Sequence, residues 1–135
     1  MASVLDQALE DAMASVPGCL AAGYVDITTG ILVCAKTTTS RPQEMLDLVS
    51  GATIGLFRES NLAAIEGWFR DDGDTANAHD ICQEIVVVSE HLLYLFTRCR
   101  TNDDHVAVFV TQKSDNVGLV MAKSRVAVNA LDRAV

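Results

Sequence analysis

Apolar and polar positions follow two rhythms along this chain, and the changes of rhythm divide it into elements. From Ser3 to Ser15 the period is helical. Val4, Leu5, Ala8, Leu9, Ala12 and Met13 recur at helical spacing, with Asp6, Glu10 and Asp11 elsewhere around the helix. Ser3 stands where an N-cap belongs, and Pro17-Gly18 stops the helix. Two short apolar runs follow, Cys19 to Asp26 and Ile31 to Lys36, either side of a Thr-Thr-Gly turn. They read as a hairpin, with Gly30 supplying the left-handed residue that a short loop needs. Thr37 to Ser40 is a polar connection.

Pro42, suited to a first helical turn, opens a long helix to about Glu66. At about 100° per residue its apolar side chains fall into two sectors. Met45, Leu48, Val49, Ala52, Leu56 and Ala63 make one; Leu46, Ile54, Phe57, Ala64, Ile65 and Trp68 make the other. Charged Glu44, Asp47 and Arg58 take the remaining arc. A helix with two apolar sectors has to bury both. Its own sheet can cover one, and the other asks for a second chain. Gly51 and Gly55 point the same way, because each costs about 1 kcal/mol against Ala inside a helix. Close approach of another backbone would offset that cost; a kink near Gly51 is the alternative.

After a polar, acidic stretch, "RDDGDTANAHD", come three β-branched and aromatic runs: Ile81 to Ser89, His91 to Cys99 and His105 to Thr111. The acids of that stretch lack the Gly and Glu positions of a calcium loop, so it reads as solvated. Asp115 or Asn116 caps a last helix to about Asp132. The order is α-β-β-α-β-β-β-α. It predicts one α/β (α+β) domain over residues 1–135, with a central five-stranded antiparallel sheet flanked by helices. The third strand, carrying Ile85 and Val87, is expected to be an open edge that invites pairing with a twin.

Composition narrows the function. Half of the 135 residues are hydrophobic and 21% are charged, a globular balance with few aromatics. The net charge of −8 lacks the Lys/Arg footprint of nucleic-acid binding and disfavours anionic membrane surfaces. No run reaches the roughly 18 apolar residues of a membrane span, and the N-terminus lacks a basic n-region, which predicts a cytoplasmic protein without membrane insertion. Cys19, Cys34, Cys82 and Cys99 lie in or beside apolar runs without metal-site spacing and read as small buried hydrophobes. His79, His91 and His105 sit at strand ends or turns, which suits surface or turn roles better than a base in catalysis. His79 and Cys82 share an H-x-x-C spacing with no further ligands nearby. No nucleophile elbow, zinc-protease motif, phosphate loop or dinucleotide fingerprint occurs. These observations predict no enzyme, no cofactor and no metal.

The first helix running into "VPGCLAAGYVD", the "TTG" turn before "ILV", the long middle helix, the "IVVVSEHLLYLFTR" hairpin and "HVAVFVTQKSDNVGLVMAKSR" together resemble the Roadblock (dynein light chain roadblock-type) domain, of the bacterial stand-alone kind. The likeness runs from about Leu5 to Leu131, with Pro17, Gly18, Gly30 and Gly118 at positions typical of turns and helix starts. It implies a profilin-like fold and a dimer whose sheets join edge to edge with the middle helices side by side. It also implies a non-catalytic adaptor or regulator acting on a Ras-like small GTPase. "EGWFRDDGDTANAH" and the two helix glycines depart from that pattern. The expected homodimer interface is Gly51, Gly55, Ile54, Phe57, Ile85 and Val87; the expected partner face is Arg41, Glu44, Asp47 and Arg58. Arg41, Arg58 and Arg70 could each reach a γ-phosphate, but exposed ion pairs are the better reading. Lys113, Lys123, Arg125 and Arg133 gather about the last helix, as a solvated face or a meeting point for an acidic partner. Two other readings stay open: a scaffold subunit without a GTPase, and a small-molecule-sensing profilin-like domain.

Overall fold

The computed structural model describes residues 4–57, 61–69 and 82–134, with the side chains of 61–64 left aside. The elements are α1 (Val4–Ser15), β1 (Cys19–Asp26), β2 (Ile31–Thr37), α2 (Pro42–Phe57), α3 (Asn61–Trp68), β3 (Glu84–Val88), β4 (Leu92–Arg98), β5 (His105–Gln112) and α4 (Val117–Ala134). The predicted order holds. The middle helical segment is described as two stretches, α2 and α3. The third strand begins at Glu84, after the expected Ile81. Ser3, Arg58, Ile81 and the whole acidic stretch from Arg70 to Asp80, His79 included, lie outside the described residues.

Local chemistry fixes the element ends. Gly18 and Gly30 have φ of 66° and 77°, the left-handed region that favours glycine. At the β1–β2 turn, Asp26 Oδ1 accepts from the Thr28 amide at 3.0 Å and the Thr28 hydroxyl at 2.6 Å. The Gly30 amide then closes the turn onto the Asp26 carbonyl at 2.9 Å. The Arg41 carbonyl accepts the Met45 amide, which places Pro42 in the first turn of α2, where its missing N–H costs nothing. Asn116 caps α4, its Oδ1 accepting the Leu119 amide at 3.0 Å.

The sheet order is β2-β1-β5-β4-β3, and every neighbouring pair is antiparallel. Both β2 and β3 are edges. One face is covered by α1 and α4. Leu9, Ala12, Tyr24, Leu93, Leu95, Phe109, Val120, Val128 and Leu131 form the larger core there. On the other face α2 rests on β1 and β2. Its inner stripe meets a smaller cluster of Val25, Phe57, Phe96, Val106 and Val108.

His105 begins β5 beside a turn, as expected, but it is not a surface residue. Its side chain is 14% exposed, Nδ1 lies 3.1 Å from the Tyr24 hydroxyl, and Nε2 is 3.7 Å from Asp26 Oδ2. The β1–β5 register sets Asp26 opposite His105, so this polar chain is a product of strand pairing. Of the cysteines, Cys99 is buried and the other three are intermediate.

Candidate interaction surface

The inner stripe of α2 runs through Leu46, Val49, Thr53 and Phe57. Leu46 and Val49 pack over Ala21, Gly23, Val108 and Val110. Thr53 is fully buried because its hydroxyl donates back to the Val49 carbonyl at 2.7 Å, so a polar residue can sit in the core. Phe57 is 9% exposed. Its ring lies 6.4 Å from that of Phe96 and under the Arg98 guanidinium. Ile54 is half-buried, its Cδ1 3.4 Å from where a Cβ on Gly30 would stand. Phe57 and Ile54, expected at a dimer face, are thus engaged within their own chain. The two-sector reading placed the boundary one side chain off, because Thr53 interrupts the apolar stripe that faces the sheet.

The outer side of α2 is different. Among the described residues α2 rests on the β1–β2 half of the sheet, which leaves the β4–β3 half beside it open. The result is an apolar cleft of about 690 Å³. Met45, Leu48, Ala52, Gly55 and Leu56 form its helix wall, and Val87, Leu92, Tyr94 and Phe96 its sheet wall. Among the described lining residues Tyr94 is the one that carries a hydroxyl. Leu48 is 71% exposed and Val87 37%. Gly51 and Gly55 are exposed, and a Cβ on either would meet no atom within 4 Å. Among the described residues nothing in the packing requires glycine at these positions. Ile85 is half-buried against the smaller core cluster.

The expected partner face is charged and exposed. Arg41 lies 3.5 Å from Glu44. Asp47 accepts from Gln43 Nε2 at 2.9 Å. Both pairs are surface interactions, worth about 0–1 kcal/mol where charged. Arg58 lies outside the described residues. Beyond α2, Ile65, Trp68 and Phe69 present exposed apolar side chains that the site reading did not include. Their i, i+3, i+4 spacing was the available signal.

Among the described residues no group of three or more His, Cys, Asp or Glu could hold a metal ion, and no helix is long and apolar enough to cross a membrane. On α4, Arg125 grips Glu84 of β3 with two bonds of 3.0 Å, and Arg133 Nε donates to the Asn129 carbonyl.

No protein-family model matches the chain, and no curated protein matches it. Solved structures do. The gliding protein MglB of Thermus thermophilus superposes with a TM-score of 0.69 at 20% identity, over 97% of this chain and 87% of that one. A Roadblock/LC7 domain from Streptomyces avermitilis gives 0.65 at 12% identity, over 95% and 94%. MglC of Myxococcus xanthus gives 0.58 at 18% identity, over 98% and 99%. Element order, sheet order and these superpositions agree that the chain has the Roadblock-type, profilin-like fold.

Proposed function

We propose that the chain is a non-enzymatic, cytoplasmic homodimeric adaptor that binds a Ras-like small GTPase and modulates its hydrolysis. The observation that carries the dimer is the pairing of two incomplete surfaces side by side. The cleft beside α2 exposes Leu48, Leu56 and Val87, and the adjoining β3 strand is an unpaired edge. A second copy turned by a two-fold axis would add a strand to β3 and lay its own helix along the cleft. Gly51, Gly55, Ile85 and Val87 would fall within or beside that contact, with Ile54 and Phe57 supporting it from behind.

The GTPase as partner rests on the Roadblock likeness, and the face offered to it is the charged arc of Arg41, Glu44, Asp47 and Arg58. The neighbours whose fold is shared include a gliding protein, MglB of Thermus thermophilus. The near absence of polar groups on the cleft lining favours a protein occupant over a small-molecule ligand, since ligand sites combine apolar walls with a few placed polar groups. The scaffold reading shares this surface and differs only in the partner.

Sedimentation tests the dimer, and affinity capture from native lysate with GDP and with a non-hydrolysable GTP analogue tests the partner. A small GTPase retained mainly with the analogue supports the reading, and Arg58→Glu should then weaken capture while leaving the dimer intact. Capture of other subunits with no GTPase in either state would shift the function to scaffolding. A monomer at all concentrations would remove the dimer.

A further inference from the structure

His105 stands between two connections at one end of the sheet, the β1–β2 turn and the loop that leads from β4 to β5. Two neighbours meet its Nε2 atom, and they make opposite demands. Asn102 Nδ2 lies 3.3 Å away and Asp26 Oδ2 3.7 Å.

Asn102 decides the neutral form of the ring. Its Oδ1 accepts the Asp104 amide at 3.2 Å, so turning the side-chain amide over would set two donors against each other. Nδ2 is therefore the atom that faces His105, and it can only donate. Nε2 has to accept, so the neutral ring carries its proton on Nδ1 and donates it to the Tyr24 hydroxyl at 3.1 Å. A second proton would enter on Nε2. The Asn102 contact would then be donor against donor, while the Asp26 carboxylate would change from an acceptor facing a lone pair to a counter-ion. The Thr28 hydroxyl, followed by the Thr28 and Thr29 amides, holds the Asp26 carboxyl below the usual carboxylate range, so it stays charged while an imidazole titrates. Behind the ring, the Tyr24 hydroxyl adjoins the Cys99 thiol and feels the charge of Asp132 on α4. The loop itself contributes Arg100, Asp103 and Asp104.

The loop is tied down at three successive residues. Asn102 bonds His105 and the Asp104 amide, the Asp103 carbonyl receives Arg98 Nη1, and the Asp104 carbonyl receives the Ile27 amide at 2.9 Å. Arg98 in turn covers Phe57, the last residue of α2.

We propose that His105 is a proton-operated latch on the β4–β5 loop. With the ring neutral, the Asn102 side chain is bonded at both ends and the loop is closed. A proton from solvent turns Nε2–H toward Asp26, releases the Asn102 amide and loosens the loop at Asp104, while the β1–β2 turn gains a counter-ion. Because the neighbouring Asp103 carbonyl holds Arg98, the change is passed to the end of α2. The device lies within one chain and depends on neither a dimer nor a GTPase.

NMR of the full chain across the imidazole range, about pH 5 to pH 8, tests it. The ring nitrogen shifts should place the neutral proton on Nδ1. Protection of the Asp104 amide against hydrogen exchange, corrected for the intrinsic rate at each pH, should fall about tenfold or more as the ring gains its proton. The Leu119 amide, capped by Asn116 on α4, should keep its protection. His105→Gln should remove the pH dependence at Asp104. Asn102→Asp should also abolish the fall, because its carboxylate can accept from both the Asp104 amide and a protonated ring. A neutral proton on Nε2, a ring that keeps one charge state throughout, or unchanged Asp104 protection through the titration would overturn the proposal. So would an equal fall in His105→Gln or in Asn102→Asp, which would mark a general loosening in acid.

Discussion

The guanidinium of Arg98 stacks 5.3 Å above the ring centroid of Phe57. One residue ends α2 and the other ends β4, so this contact joins the helix to the sheet at the closed end of the smaller core. A desolvated cation–π contact contributes about 2 kcal/mol, and burial of the ring adds to it. Phe57→Ala is expected to cost about 3–5 kcal/mol, the range for large-to-small changes in a core. Arg98→Lys should also destabilise, because an ammonium cannot span two carbonyls and the ring as a planar fork does. Urea unfolding of the two variants measures both.

Gly55 separates the stability of one chain from the stability of a pair. No described atom stands within 4 Å of a Cβ there, so Gly55→Ala should strengthen the isolated protomer by up to about 1 kcal/mol through helix propensity. Gly55→Leu should weaken self-association if a second helix approaches there. Light scattering across a dilution series reads the outcome. A Gly55→Leu chain that associates like the wild type would rule out close helix packing at this point.

The thiols give an alkaline prediction. Burial pushes Cys19, Cys34 and Cys99 up to about 11. An unfolded chain ionises these groups near pH 9, before the folded chain does, so it binds fewer protons in that window. Stability should therefore be intact below about pH 8.5 and fall as pH rises from there through about 11. Native alkylation near neutral pH should be slow at all three, since the thiolate is the reactive form. Mass spectrometry of timed iodoacetamide reactions checks the second point, and unfolding curves across pH check the first.

At the acid end, Asp26 is held below the usual carboxylate range, first by the Thr28 hydroxyl and then by the Thr28 and Thr29 amides and the charge of His105. The unfolded carboxyl takes up its proton near pH 3.9, before the folded one. The stabilisation is therefore present above that value and lost as pH falls through the lower folded value. Asp26→Asn should flatten the acid limb of the stability profile and loosen the β1–β2 turn. Unfolding midpoints between pH 2 and pH 6 would show no change in slope if the turn does not depend on the charge.

Much of this architecture can be read from short-range sequence. Gly30 and its Thr-Thr neighbours announce the hairpin, Asn116 announces the cap of α4, and the run from Glu84 to Val88 announces the third strand. Each depends on residues a few positions apart. The inner face of α2 could not be read, because Thr53 hides its polarity by bonding to the preceding turn, leaving no unbroken apolar stripe. The His105–Tyr24 contact and the Arg125–Glu84 fork span 81 and 41 residues of chain, and only the fold brings them together.

The two edges of the sheet are unlike. Along β3 the pairing with β4 runs without interruption from Glu84 opposite Thr97 to Val88 opposite Leu93. Along β2 the register slips, with Tyr24 opposite Cys34 but Val25 opposite Leu32, so Val33 is an extra residue. A bulge of this kind twists its strand and spoils it as a template. Under the proposed homodimer the molecule would therefore be a tile with one joinable side. Two copies meeting at β3 would turn their bulged sides outward, and the sheet would end there as a closed pair rather than grow into a fibre.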